Sequence, residues 1–393
     1  MKVVFCADSM NMHQLYFSRA MIDLGVDYKF IAYGTISQER KNGGWEDLND
    51  KCDFVIKFYE PDGEKVAKKL IRDADLVIIG SFPMKYLRKR VLSNKPTFLF
   101  SERWFKSYDG NMQKFKTLHL YLSNLLHRKY FNFFRVYMLC ASAYTAYDCS
   151  LYHNFKDKCY KWGYFPKVTE YNLDNLLKRK RENEVIKILW VARFLDWKHP
   201  EDAVLVAKQL KEDGYAFELN MIGVGEELEK TKEKLKEYGL ENHVNLLGAM
   251  PNEKVREYME QANIFLFTSD FNEGWGVVLN EAMNSACVVV ANHAIGSVPF
   301  LLKDGENGMI YPNNDKTKLC KYVEALIADE ALREKISVNA YNTIIKEWNP
   351  NNAAKKLITL YDKLINKKDV EIQDGVCSKA EVLDNFWINK SNL

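Results

Sequence analysis

Strand-length apolar runs alternate with helix-length segments along almost the whole chain. Residues 3–7, 27–33, 54–58, 75–80, 96–100 and 135–140 read as strands in the first half, and 186–192, 217–222, 244–247, 262–268, 287–291 and 308–311 in the second. Segments 10–24, 66–72, 112–131, 200–213, 226–238, 252–261, 316–328, 330–346 and 351–365 have helical character. Most of the strand runs are dominated by apolar residues rather than alternating, as in strands covered on both faces. A strand, a helix and another such strand pair in parallel, because a parallel neighbour needs a crossover of a dozen or more residues. The alternation predicts an α/β chain with parallel sheets doubly wound by helices, and ligands at the carboxyl ends of the strands.

At 393 residues the chain is long enough for two or three such domains. The apolar pattern stops around 160–166, and 167–184 is polar, with the basic run Lys178, Arg179, Lys180 and Arg181. We read a first domain over 1–166, a connection over 167–184 and a second domain over 185–350. The basic run reads as a solvated helix end. No aromatic-interleaved patch accompanies it, so nucleic acid is not expected as a partner. With 47% hydrophobic residues and a formal charge of +3, the composition is that of an ordinary globular chain. The eight cysteines form no C-x-x-C pair, and Cys6, Cys140 and Cys287 lie in apolar runs. That pattern points to reduced thiols and no zinc site. The N-terminus reads as a first strand rather than a signal peptide, and no run approaches the ~18 apolar residues of a membrane span. A cytoplasmic location is the expectation.

One unit stands out chemically. After the apolar run at 262–268 comes Phe271-Asn-Glu-Gly-Trp-Gly-Val-Val-Leu-Asn-Glu-Ala-Met283, which reads strand, acidic glycine-rich turn, helix. Gly274 and Gly276 flank Trp275 and let the backbone come close to a ligand. A helix starting near Gly276 and Val277 turns its free N–H groups and positive dipole end towards the turn, a site for phosphate. Glu273 precedes this start, and Glu281 lies ~7 Å into the helix. Two carboxylates around an anion site make sense if the ligand also carries hydroxyls, each such charged hydrogen bond being worth roughly 1.5–3 kcal/mol. A nucleoside diphosphate sugar has that shape, with a ribose diol on one side of the diphosphate and sugar hydroxyls on the other. The alternative is an amphipathic strand–helix unit with two ordinary surface acids.

The string Glu-Gly-Trp-Gly-x4-Glu-Ala-Met resembles the E-x7-E signature of the retaining GT-B glycosyltransferases, family 4. The resemblance implies two Rossmann-like domains facing across a cleft, with the last helix, in 351–393, crossing back onto the first domain. It implies that Glu273 contacts the transferred sugar and Glu281 the nucleotide ribose, with Gly274, Trp275, Gly276 and Val277 in the donor-binding turn. Residues 191–200 are similar to the family's G-R-x-x-x-x-K-G segment, whose Arg and Lys bind the donor diphosphate. Arg193 and Lys198 match, while Ala192 and His199 stand at the glycine positions. Both cations also follow the carboxyl end of a strand, where a sheet binds ligands; otherwise they are surface charges on a loop. Gly223 and Gly225 resemble the family's G-x-G lining of the nucleotide pocket, or make a plain tight turn. Leu247 and Met250 bound a segment similar to the loop that holds the base through its backbone. Residues 294–300 and 304–308 resemble the G-G-x-x-E and D-G-x-N-G segments, with Pro299 where the acid is expected. The specific motifs cover 186–312; the first domain resembles the family in architecture alone.

Many relatives carry a glycine pair after the first strand, but residues 8–14 here hold none. Asp8 and His13 either face a ligand, or Asp8 or Ser9 caps a helix and the ring is partly exposed. Glu102, after the strand at 96–100, either faces the acceptor, as a polar residue does there in the family, or pairs with Arg103. Asp73 and Asp75 have the D-x-D form used for metal in another glycosyltransferase fold, but they precede a strand and read as a helix end. No catalytic metal or other cofactor is expected. From 81 to 140 twelve basic residues accompany two acids, and Phe115, Leu118, Leu122, Leu125 and Leu126 follow helical spacing. Such a segment either lies on an anionic membrane surface or packs a core-facing stripe beneath solvated lysines.

The expected function is that of a retaining, metal-independent glycosyltransferase. It would move a hexose-type sugar from a nucleoside diphosphate donor, UDP- before GDP-, to a saccharide or lipid-linked acceptor, in bacterial surface polysaccharide or glycolipid synthesis. Glu273, Arg193, Lys198 and Glu102 are the candidate catalytic residues, and the place of action is the cytoplasm or the inner face of the plasma membrane. Two other readings stay open: a non-catalytic sugar-nucleotide-binding or partner subunit, and a GT-B-fold epimerase acting on the sugar nucleotide.

Overall fold

The computed structural model describes residues 1–36, 46–106, 131–368 and 371–390. The chain divides into two compact units, Met1–Lys167 with Trp348–Phe386, and Val168–Glu347 with the residues from Trp387 on.

The first unit carries seven parallel strands: β1 (Lys2–Ala7), β2 (Asp27–Ala32), β3 (Val55–Lys57), β4 (Leu76–Ile79), β5 (Thr97–Ser101), β6 (Val136–Cys140) and β7 (Cys159–Lys161). Their order is β3-β2-β1-β4-β5-β6-β7, so the winding reverses between β1 and β4, where Val3 pairs with Leu76 and Cys6 with Ile79. All four residues of β4 are buried, as a central parallel strand requires. Helices α1 (Met12–Asp23), α2 (Gly63–Asp73), α3 (Arg88–Leu92) and α4 (Thr145–Leu151) lie between the strands. The cap of α1 is Asn11, whose Oδ1 accepts from His13 N at 3.0 Å; neither Asp8 nor Ser9 takes that part.

Arg90 on α3 is buried and spends its guanidinium on main-chain oxygens. Nη1 donates to Ile71 O (2.9 Å) and Ala74 O (2.7 Å), Nη2 to Asp75 O (2.9 Å) and Pro96 O (2.6 Å), and Nε to Thr97 Oγ1 (3.1 Å). It closes the C-terminal end of α2, where carbonyls lack helical partners. The D-x-D pair belongs to the same corner. Asp73 ends α2, and Asp75 Oδ2 accepts from Lys2 N at 2.7 Å.

β7 escapes the sequence pattern because it is three residues long and runs at once into Trp162 and Gly163. Its open edge is covered by the tail. Lys161 N donates to Ser378 O (2.8 Å), Cys377 N to Lys161 O (2.8 Å) and Ala380 N to Cys159 O (3.0 Å), with Val376 and Cys377 buried. Covering an edge strand removes a template for unwanted pairing.

The second unit carries six parallel strands: β8 (Ile186–Val191), β9 (Phe217–Ile222), β10 (Val244–Leu246), β11 (Ile264–Phe267), β12 (Val288–Asn292) and β13 (Met309–Tyr311), in the order β10-β9-β8-β11-β12-β13. The helices are α5 (Leu173–Arg181), α6 (Pro200–Glu212), α7 (Leu228–Tyr238), α8 (Asn252–Gln261), α9 (Val278–Asn284), α10 (Val298–Leu301), α11 (Lys316–Ala328) and α12 (Glu330–Lys346). One core, built from Ile188, Trp190, Leu219, Met221, Leu266, Val288 and Val290 among others, fills the space between this sheet and its helices. The following helix, α13 (Pro350–Ile365), groups with the first unit and packs against α1.

The polar segment 167–184 is not only a connection. Helix α5 lies in it and buries Leu176 and Leu177 in the second unit. Its basic run is not a solvated helix end throughout. Lys180 is 4% exposed, and its ammonium donates to Met259 O (3.1 Å) and Ala286 O (3.0 Å) and also to Ala262 O. These carbonyls lie at the ends of α8 and α9, where a cation meets both unpaired oxygens and the negative dipole end.

Candidate active site

Strand order decides where a ligand can sit. In both sheets the winding reverses once, and in the second unit it does so between β8 and β11, with Ile188 opposite Ile264. At such a switch point the loops leave in opposite directions and open a crevice at the carboxyl ends. The loop after β8 carries Arg193 and Lys198, and the loop after β11 carries Glu273.

The two loops are tied together. Trp190 Nε1 donates to Thr268 Oγ1 (2.9 Å), Thr268 Oγ1 donates to Lys198 O (2.6 Å), and Asp270 N donates to Trp197 O (3.1 Å). His199 occupies the left-handed region at φ 48°, a conformation that suits glycine. Its ring is pinned on both sides, Nδ1 at 3.0 Å from Glu201 Oε1 and Nε2 at 3.4 Å from Asp270 Oδ2. Asp270 and then Glu201 push the imidazole pKa up to about 10. A charged histidine therefore does by ion pairing what a glycine would do by freedom.

Lys198 forms an ion pair with Glu273, whose Oε2 also accepts from Ser269 Oγ at 3.2 Å. Both partners are mostly shielded, with side-chain exposures of 13% and 11%, so their attraction is weakly screened. Arg193 is exposed at the same rim. Glu281 is the fourth residue of α9, one turn into a helix that starts one residue later than expected. Its Oε1 accepts from Asn252 Nδ2 at 2.9 Å, and Arg256 Nη1 donates to its carbonyl at 2.7 Å. Burial raises the Glu281 carboxyl above its ordinary range, against the pull of Asn252 and Arg256. A shielded carboxylate of this kind gains from any hydroxyl offered to it.

The flanking residues divide between shaping the turn and lining the rim. Trp275 is buried, with Nε1 donating to Asn280 Oδ1 at 2.9 Å and its carbonyl accepting from Ser297 Oγ, so it anchors the turn. Gly274 is buried beside it, and Val277 is the residue before α9. Gly276 has φ +76°, and a Cβ there would meet Phe267 Cζ at 2.2 Å. Gly223 and Gly225 serve the loop after β8: a Cβ on Gly223 would lie 1.9 Å from Ala192 O, and one on Gly225 2.3 Å from Phe194 O. The loops interlock through Phe194 N to Val224 O (2.9 Å), Glu227 N to Phe194 O (3.0 Å) and Gly223 N to Gly248 O (2.9 Å). Leu247 and Met250 are half-buried on the loop after β10.

In the first unit the structure gathers two of the candidates. The His13 ring lies 5.4 Å from that of Tyr164, whose hydroxyl donates to Glu102 Oε1 at 3.0 Å. Glu102 also pairs with Lys106. It is not the partner of Arg103, which faces Asp148 at 3.6 Å in the interior. Asp148 Oδ2 accepts from Trp104 N (2.7 Å) and Phe105 N (3.3 Å), and burial, opposed by Arg103, pushes its carboxyl up to about 6. Tyr164 and Asp148 escaped the sequence reading. The signal for Asp148 was an acid isolated in an apolar stretch, which calls for a buried partner. Asp8 is exposed. Of the basic residues at 81–140, Arg90 and Arg103 are interior, and the stripe from Phe115 to Leu126 lies outside the described residues. Among the described residues no helix is long and apolar enough to cross a membrane.

Residues 174–343 match the family model of glycosyl transferases group 1. The amylovoran biosynthesis glycosyltransferase AmsK of Erwinia amylovora is 29% identical over 195 residues, 48% of this chain and 48% of that protein. The poly(glycerol-phosphate) alpha-glucosyltransferase of Bacillus subtilis is 28% identical over 225 residues, 52% of this chain and 32% of its own. The chain spans about half the length of the curated relatives it matches. Among solved structures, HepE of Anabaena in complex with UDP superposes with a TM-score of 0.66 at 15% identity, over 91% of this chain and 100% of that one. A glycosyltransferase from Rickettsia africae gives 0.64 at 16% identity, over 93% and 99%. At these identities the likeness concerns the fold, which is the GT-B type with two Rossmann-like domains.

Proposed function

We propose that this chain is a retaining glycosyltransferase using a nucleoside diphosphate sugar, and that its second unit holds the donor at the carboxyl ends of β8 and β11. The observation that carries the reading is the shielded Lys198–Glu273 pair at the switch point, in the same unit as the buried carboxyl of Glu281. Lys198 and Arg193 take the diphosphate. Glu273, held by Ser269, exchanges part of its ion pair for hydroxyls of the sugar, and Glu281 takes the ribose diol. The C1–O bond to the β-phosphate breaks as the acceptor oxygen bonds C1 on the same face, and the acceptor proton passes to a leaving phosphate oxygen. The two cations stabilise the charge that develops there; loss of one such contact typically costs ~10²–10³ in rate. In the first unit, the Glu102–Tyr164–His13 group is the candidate for acceptor recognition. The name of AmsK supports a role in polysaccharide synthesis, that of the B. subtilis relative supports transfer of an α-sugar, and the UDP in HepE supports UDP- donors ahead of GDP- donors.

The test is slow hydrolysis of UDP-α-glucose, UDP-α-N-acetylglucosamine and GDP-α-mannose, followed by proton NMR. Retention predicts that the α-sugar appears first from one donor. First appearance of the β-sugar would overturn retention, and an epimerised nucleotide sugar would overturn transfer.

A further inference from the structure

Glu273 is held from more than one side. Besides the ion pair to Lys198, its turn leans on the loop after β12. Gly296 N donates to Glu273 O at 3.1 Å, and Ser297 Oγ donates to Trp275 O. That loop is fixed at its start by His293, which is 4% exposed. His293 N donates to Tyr311 O (2.9 Å), and its Nδ1 accepts from Asn313 N (2.9 Å). The His293 ring stands edge-on to that of Phe271, two residues before Glu273, with centroids 5.6 Å apart.

A further neighbour of His293 comes from the far end of the chain. The Trp387 ring lies 6.2 Å from the His293 ring, tilted by 57°. Both separations fall within the ~4.5–7 Å over which aromatic rings attract. Trp387 opens a final turn of helix, α14 (Trp387–Lys390), and is half-buried. The local sequence favours the contact. Phe386, Trp387 and Ile388 form the longest apolar run after residue 366. Just before Trp387, Phe386 N donates to Asp384 Oδ1 (3.0 Å), an Asx turn that redirects the chain. Phe386 is left exposed by that turn, while Trp387 is not.

Upstream, the tail is fastened to the first unit. Residues 377–380 pair with β7, and Arg103 Nη2 donates to Asn385 Oδ1 at 3.2 Å. From Trp387 on, the chain belongs to the second unit. A side chain tethered this closely has already lost much of the freedom that docking costs. Trp387 lies outside residues 174–343, the stretch that matches the family model.

We propose that Trp387 is a positioning residue for Glu273: it braces His293, and through Phe271 and the 293–297 loop it holds the acidic turn against the donor sugar. The part played by the sugar rests on the donor reading above; the brace does not. Arg193 and Glu281 lie outside the turn and keep the nucleotide when the indole is removed.

The experiment compares full-length wild type, Trp387→Ala and Trp387→Phe, with folding checked by circular dichroism. Amide hydrogen exchange is read on peptides covering 271–276 and 293–297. Loss of one ring contact, worth a factor of about 2–10, speeds exchange there by about that factor in Trp387→Ala, leaves the peptide covering β7 unchanged, and is largely reversed in Trp387→Phe. Hydrolysis of the UDP-sugar donor slows about tenfold or more, since ~1 Å of misplacement costs ~10²-fold, while the dissociation constant for UDP stays within about twofold. Unchanged exchange in Trp387→Ala would overturn the brace whatever the activity. So would UDP affinity and hydrolysis falling together, which would make Trp387 a nucleotide contact. A wild type that hydrolyses no donor while the exchange difference holds would refute the donor reading and leave the brace standing.

Discussion

Replacing Gly223 by alanine asks whether the glycines after β9 serve the neighbouring loop or a ligand. At φ +141° the new Cβ would lie 1.9 Å from Ala192 O and 2.9 Å from its carbonyl carbon. An ordinary C···O contact is about 3.3 Å, so the start of the Arg193–Lys198 loop must retreat by roughly 1.4 Å. That loop cannot retreat freely, because Ala192 N bonds Ile222 O (3.1 Å) and Phe194 N bonds Val224 O (2.9 Å) on either side of the clash. Backbone strain costs about 1–3 kcal/mol and overpacking a similar amount, so Gly223→Ala destabilises the second unit by roughly 2–6 kcal/mol. At about 2–4 °C per kcal/mol for a unit of this size, its Tm falls by roughly 5–20 °C. Lys198 moves with the loop, and a displacement of about 1 Å at a reacting group costs ~10²-fold in turnover. Calorimetric unfolding and donor hydrolysis read the two effects. Both should fall. Loss of turnover at unchanged Tm would mean that the glycine makes room for a ligand, and no change in either would refute the packing argument.

Three further outcomes follow from named groups. Arg90→Met strands five acceptors in the first unit and should lower its stability by ~3–5 kcal/mol, read as a lower urea midpoint at unchanged m; Arg90→Lys should recover part of the loss. His199 has a folded-state pKa raised from 6.5 to about 10, so its ion pairs stabilise fully below pH 6.5 and fade as pH rises through about 10. Denaturant titrations should show on the order of 1–2 kcal/mol lost across that window, and none in His199→Gln. Glu281 has a raised carboxyl pKa, so its ionised form costs stability at neutral pH. Glu281→Gln should leave the Tm of the ligand-free protein equal or higher, while weakening nucleoside diphosphate binding by about 10–100-fold in calorimetry.

Fold and candidate site differed in how far residues alone could reveal them. Parallel sheets were legible because runs such as 76–79 and 264–267 are apolar on both faces, a pattern that antiparallel strands at a surface do not show. The three-residue β7 was not legible, since it is shorter than any periodicity and its outer edge is covered by a tail more than two hundred residues later. The acidic turn at Glu273 and the cations before it could be singled out because their spacing has a chemical reason. Nothing local, however, announces that Lys198 binds Glu273 across seventy-five positions. Of the two readings open for Glu102, the pair with Arg103 fails, because the interior arginine faces Asp148 instead. The basic run at 178–181 misled. Lys180 is buried, and burial lowers its pKa, yet its amine meets helix-end carbonyls that no sequence window displays.

The most direct test of the central claim is calorimetric titration of the full chain with UDP and GDP, in wild type and in Lys198→Met, with folding checked by circular dichroism. The account predicts that one nucleotide binds wild type and that binding weakens at least tenfold in the variant, about 1.4 kcal/mol or more. A folded wild type that binds neither nucleotide, or a variant that binds as tightly as wild type, would contradict it.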